Sequence, residues 1–251
     1  MQSPFLTKDD SSSTRKACIG VVCKNICDET GTTFDGNVFS NCICVDEFNK
    51  RVQLIGAGIP RRYWKFSFDD LLSKFKERNT RSLNLLIEYC NCIKIMVEGG
   101  SGLYIQGREG LAKSALAFFI LRNALAEGLI CYSIRMSQIT KLIFESLSSS
   151  EKKEQLDWIR NEVQLLFIDE IEKDYKISDP TSFSGTHVSE FFGDIYDRQI
   201  AIIVTSNVPR KELTKVQSIS VVDRLSELVE VTLLGDSFRS QNAALEKIVK
   251  S

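Results

Sequence analysis

Residues 107 to 114, GREGLAKS, stand between a short apolar run, LYIQG, and a stretch, KSALAFFILRNALAEG, that reads as a helix. A glycine-bearing turn between strand and helix constrains a chain strongly, because it aims backbone N–H groups and the helix dipole at one spot. That spot suits phosphate oxygens. In the Walker A pattern, G-x-x-x-x-G-K-[ST], the lysine pairs with the β- and γ-phosphates of a nucleotide and the hydroxyl ligates Mg²⁺. Lys113 and Ser114 occupy those positions, and the expected nucleotide-binding loop comprises Gly107, Arg108, Glu109, Gly110, Leu111, Ala112, Lys113, Ser114 and Ala115. Ala112 stands where the pattern has its second glycine. One added methyl, at a position where positive φ is disfavoured for alanine, is expected to tighten the loop and slow turnover rather than abolish ATP binding. The bland alternative is a helix N-terminus with a vestigial loop.

Composition divides the chain near residue 60, and after the GAGIPRRYWKFSFDD junction the text alternates apolar strands with amphipathic helices, the pattern of a three-layer α/β domain with a parallel sheet. After LYIQG come the strands LICYSIR (129 to 135), QLLFIDE (164 to 170), AIIVTSN (201 to 207) and VEVTLL (229 to 234). Helices are expected between 137 and 160 and in VSEFFGDIYDRQ. LLFIDE ends in two acids, as a Walker B strand does: Asp169 would hold Mg²⁺ and Glu170 would polarise the attacking water. Two solvated acids capping a buried strand are the alternative. Asn207 ends the fourth strand, where its amide can orient the water or sense the γ-phosphate, unless it is a turn asparagine.

Composition limits the rest. The chain has 251 residues, 43% hydrophobic and 26% charged, which suits one globular domain with a small appendage. Its 32 Lys+Arg against 33 Asp+Glu create no global field toward nucleic acid, so any DNA contact must be local or shared between subunits. A single histidine, His187, disfavours His-rich metal sites. No signal-peptide core or bilayer-length apolar run occurs, so a cytoplasmic protein with no membrane contact is expected. In that compartment the eight cysteines are thiols or metal ligands rather than disulfides. The spacing C-x3-C followed by C-x-C nominates Cys23, Cys27, Cys42 and Cys44 as a tetrahedral Zn²⁺ site, with reduced thiols in a loose arm as the alternative. Cys90, Cys92 and Cys131 read as packing residues.

AGIPRRYWKFSFDD, GLYIQGREGLAKSAL, IDEIEKDYK and IIVTSNVP, in this order, resemble the AAA+ ATPases of the DnaC/DnaI helicase-loader group, with the IstB-like transposition helpers as relatives. The resemblance runs from about Cys23 to Arg239. It implies an AAA+ P-loop three-layer sandwich preceded by a small cysteine-rich zinc-binding segment. The expected divisions are a tail at 1–17, the cysteine-rich segment at 18–58, a junction and helical lead-in at 59–98, and the ATPase domain at 99–251. It further implies that Arg224 is an arginine finger reaching a neighbouring subunit's γ-phosphate and that Arg239 contacts nucleotide in its own subunit. Surface salt bridges are the alternative for both. These loaders usually carry C-x2-C at the first cysteine pair, so Cys18 could replace one zinc ligand here.

The implied partners are a replicative DnaB-type hexameric helicase, single-stranded DNA, and further copies of the chain through Arg224. Arg61, Arg62, Tyr63, Trp64 and Lys65 mix charge and aromatic rings as a DNA surface can, though in the family this stretch packs at the junction. The implied activity is ATP-dependent helicase loading. A DNA-transposition helper and a nucleotide-binding adaptor without turnover are the alternatives.

Overall fold

The computed structural model describes residues 32–34, 39–173 and 183–237. The chain divides into two compact units, Met1–Trp64 and Lys65–Ser251.

In the first unit, β1 (Thr32–Phe34) and β2 (Phe39–Asn41) pair antiparallel, with Thr33 opposite Ser40. Helix α1 (Ile43–Gly56) follows, with Cys42 in extended conformation at its N-cap. Gly, Asn, Asp and Thr among the cysteines of residues 18 to 44 read as turn chemistry without helical periodicity. Yet residues 43 to 55 contain neither glycine nor proline, and Cys44, Val52 and Leu54 are buried along the helix. Arg61–Tyr63 form a 3₁₀ turn after Pro60. Here the Arg61 guanidinium lies 5.7 Å from the centre of the Trp64 ring and that of Arg62 lies 4.6 Å from Tyr63. The Trp64 indole N–H donates to the Ile59 carbonyl at 2.8 Å. The basic and aromatic side chains of this stretch thus pack on one another.

The second unit begins with α2 (Asp69–Asn91) and α3 (Ile93–Glu98). Five parallel strands follow: β3 (Leu103–Gly107), β4 (Cys131–Arg135), β5 (Leu165–Asp169), β6 (Ala201–Ser206) and β7 (Val229–Leu233). Their order across the sheet is β4-β5-β6-β3-β7. The helices between them are α4 (Lys113–Ala126), α5 (Met136–Ser146), α6 (Ser150–Asn161), α7 (Phe183–Asp197) and α8 (Ile219–Ser226).

The period of two along each strand divides the core into two layers. Tyr104, Leu166, Ile168, Ile202 and Val204 join one cluster with Ile139 and Ile143 of α5, Ile159 of α6, and Phe191 and Ile195 of α7. On the other face Phe167 meets Phe118 of α4 edge to face, at 5.0 Å between ring centres. Helix α4 is buried nearly all round, as its uniformly apolar text implies. Burial pushes the Cys131 thiol up to about 12 and that of Cys90 to about 11, consistent with packing roles. Cys92 departs from the expectation: it lies exposed at the capping position after α2, where the chain turns into α3. Among the described residues no helix is long and apolar enough to cross a membrane.

Candidate functional site

Strand order creates the site. Because β6 lies between β3 and β5, the carboxyl ends of these three strands place Gly107, Asn207 and Asp169 side by side. In parallel α/β sheets that rim is where ligands bind.

The loop after β3 turns on a glycine. Gly110 has φ +82°, and a Cβ there would fall 1.9 Å from the Ser237 hydroxyl, so both backbone and space require glycine. Leu111 is buried beneath the loop. Ala112, at φ 56° and ψ 21°, caps α4 in the left-handed region, and its carbonyl accepts the Leu116 N–H at 3.0 Å. The loop therefore holds alanine in a conformation that suits glycine. Its strain is local and has a measurable consequence. Replacing alanine relieves about 1–2 kcal/mol of left-handed strain, while the extra freedom of glycine in the unfolded chain returns about 0.4–1 kcal/mol. Ala112→Gly is thus expected to stabilise the protein by about 1 kcal/mol, read as a rise of about 2–4 °C in Tm. An unchanged or lower Tm would contradict this reading of the loop.

Lys113 is buried at 8% exposure, yet its ammonium is fully engaged. It donates to the carbonyls of Gly107 at 2.7 Å and Arg108 at 2.8 Å, and to Asn207 Oδ1 at 2.7 Å. Beside it the Ser114 hydroxyl donates to Asp169 Oδ1 at 2.8 Å. Thr205, one strand over, donates to the same oxygen at 2.5 Å and accepts the Glu170 N–H at 3.1 Å. Oxygen donors from a serine and an aspartate, already in contact, are the hard set that Mg²⁺ prefers. The fit to Mg²⁺ is therefore good.

Glu170 also has a positive φ, 57°, which turns the chain sharply after β5. Its carboxylate is ion-paired with Lys173 at 2.7 Å, and this hydrogen bond holds the lysine ammonium above its ordinary value. Both groups are more than a third exposed, so the pair is worth at most about 1 kcal/mol and yields easily. Glu172, which the sequence reading passed over, is buried and accepts a hydrogen bond from Asn207 Nδ2 at 2.5 Å.

Arg224 stands apart from these residues. It lies on α8, where it donates to the Ser220 carbonyl at 3.1 Å and to the Ser220 hydroxyl, with its guanidinium 5.9 Å from the Tyr196 ring centre. With Gly100, Gly102, Ile200 and Leu228 it lines a cleft of about 500 Å³ at the amino ends of the strands, the rim opposite Lys113. Arg239, Cys18, Cys23 and Cys27 lie outside the described residues. Cys42 and Cys44 are buried at the start of α1, and among the described residues no group of three or more His, Cys, Asp or Glu side chains could hold a metal ion. Zn²⁺ therefore has no support from the described residues.

This sheet order, with a lysine-bearing loop on one inner strand and acids on another, is that of an AAA+ fold. Solved structures agree. The chain is similar to the DnaC helicase loader, with TM-score 0.58 and 17% identity over 70% of this chain and 100% of that one. DnaI gives TM-score 0.54 and 17% identity over 70% and 94% of the two chains. AMPPCP-bound DnaA from Aquifex aeolicus gives 0.52 and 19% over 69% of this chain and 52% of that one, so this chain spans about half of DnaA. No protein-family model and no curated protein sequence matches. At these identities the likeness establishes the fold, and at that level the resemblance read in the sequence is borne out.

Proposed function

We propose that the chain is an ATP-dependent loader that places a replicative DnaB-type hexameric helicase on single-stranded DNA. One observation carries this reading: Lys113, Ser114, Asp169 and Asn207 converge in a hydrogen-bonded cluster on a fold that spans the whole of the DnaC helicase loader structure. The backbone of residues 107 to 112 and the Lys113 ammonium would bind the phosphates. Ser114 and Asp169 would hold Mg²⁺, which when bound supplies positive charge to the phosphate oxygens. Glu170, released from Lys173, takes a proton from the attacking water, and Asn207 orients that water. Arg224 belongs to the neighbouring copy's reaction, and Arg239 to its own. The proposal includes a cytoplasmic location and Zn²⁺ held by Cys23, Cys27, Cys42 and Cys44 in the helicase-gripping segment.

Native mass spectrometry of the chain with its host's replicative helicase, under ATP and under ADP, tests the reading. A helicase-bound assembly carrying about one Zn²⁺ per loader, and altered by nucleotide or by Lys113→Ala, is the expected result. No complex under either nucleotide would overturn it. The ion pair between Glu170 and Lys173 favours a second reading, a nucleotide-binding adaptor without turnover. Phosphate release no faster than in Lys113→Ala would establish that reading instead.

A further inference from the structure

Asn207 lies between two side chains whose chemistry fixes which way its amide faces. An ammonium can only donate, so the atom 2.7 Å from Lys113 Nζ must be the amide oxygen. The amide nitrogen then faces Glu172, donating to its Oε1 at 2.5 Å. The two contacts agree, and a flipped amide would lose both.

Glu172 reaches this place because the chain reverses after β5. Glu170 takes a left-handed conformation, and the Ile171 N–H donates to the Thr205 carbonyl at 3.1 Å. The Gln217 amide donates to the Ile171 carbonyl at 2.7 Å, which anchors the turn from the other side. The carboxylate is thereby fixed behind β6 with 5% exposure, and its second oxygen, Oε2, is buried without a hydrogen-bond partner among the described residues. A buried acid with one unmet oxygen is costly, and among the described residues its other oxygen is held by the residue that faces the loop after β3.

We propose that Glu172 is a positioning residue for hydrolysis. It holds the Asn207 amide with its oxygen toward the phosphate pocket, so that Asn207 acts there as an acceptor. In this structure that oxygen receives the Lys113 ammonium. When phosphates draw Lys113 away, the same oxygen is left to accept a proton of the attacking water and direct the water's lone pair at phosphorus. Glu172 acts on the reaction only through Asn207. This inference rests on the ATPase reading given above, but its first test does not need turnover.

In protein labelled with ¹⁵N-asparagine, the Asn207 side-chain signal, identified by its loss in Asn207→Ala, should show one amide proton shifted downfield by the carboxylate and slow to exchange. Glu172→Ala should remove both properties. In steady-state kinetics, Glu172→Ala should lower kcat about tenfold while binding of a fluorescent ATP analogue stays within about threefold. Glu172→Gln, whose amide oxygen can still accept, should recover most of the rate. The double variant Glu172→Ala/Asn207→Ala should be no slower than Asn207→Ala alone, as expected for residues acting as a unit. An Asn207 signal unmoved by Glu172→Ala overturns the proposal, as do losses that multiply in the double variant. A wild-type chain that binds ATP without turnover overturns the ATPase reading, and the amide signal still decides whether Glu172 orients Asn207.

Discussion

Lys113→Ala is expected to weaken ATP binding by about 100-fold and to reduce turnover to background. This ammonium serves two carbonyls of its own loop and the Asn207 oxygen, so it both ties the loop together and, on the proposed reading, would carry the charge for the phosphates. Nucleotide does not have to recruit a disordered side chain; it has to exchange three contacts for stronger ones to phosphate. Removing the lysine loses about 2–3 kcal/mol from a hydrogen bond with a charged donor, which corresponds to the stated loss of affinity. It also leaves the Gly107 and Arg108 carbonyls without this donor in a partly buried place. Tm should therefore fall as well, by about 2–8 °C for a loss of 1–2 kcal/mol. Titration with a fluorescent ATP analogue, beside a melting curve, checks both. Affinity within threefold of wild type would mean that the loop does not bind phosphate through Lys113.

Much of this arrangement was legible in the sequence, because it depends on local pattern. LYIQG, LLFIDE and AIIVTSN read as buried strands since short apolar runs ending in glycine, acid or asparagine have few other uses. The strand order was not legible. It depends on which apolar faces meet across crossovers, and no spacing along the chain says that β6 inserts between β3 and β5. The first unit was misread for a related reason: Gly, Asn, Asp and Thr dominate the text before α1, and their turn chemistry masked the uninterrupted helix of residues 43 to 56. Glu172 was missed because in IDEIEKD it looks like one more surface acid. Only the left-handed turn at Glu170 buries it, and a non-glycine residue at positive φ leaves no mark in the sequence. Ala112 is the counterpart case, where the departure from the pattern was visible and its geometry was not. Alanine here takes a left-handed dihedral that favours glycine, so the loop's shape follows from the contacts around it.

Arg224→Ala is expected to leave nucleotide affinity within about threefold and to lower turnover by about a thousandfold. The position of α8 is the reason. Its arginine lines the cleft at the amino ends of β3, β6 and β7, whereas Lys113 and Asp169 sit at the carboxyl ends. Five-residue strands separate the two rims by about 17 Å, more than an arginine side chain can span. Arg224 can therefore serve a phosphate only in another copy of the chain. The Ser220 contacts and the Tyr196 ring hold the guanidinium at the surface, and both are weak enough to be exchanged for phosphate oxygens. The decisive measurement is a mixture. Lys113→Ala lacks the loop lysine but keeps Arg224, and Arg224→Ala has the reverse defect. Phosphate release should reappear when the two inactive variants are combined, since a subunit pair then brings an intact loop against an intact arginine. If the mixture assembles and stays inactive, or if Arg224→Ala alone turns over like wild type, Arg224 is a surface residue and the copies do not share their sites.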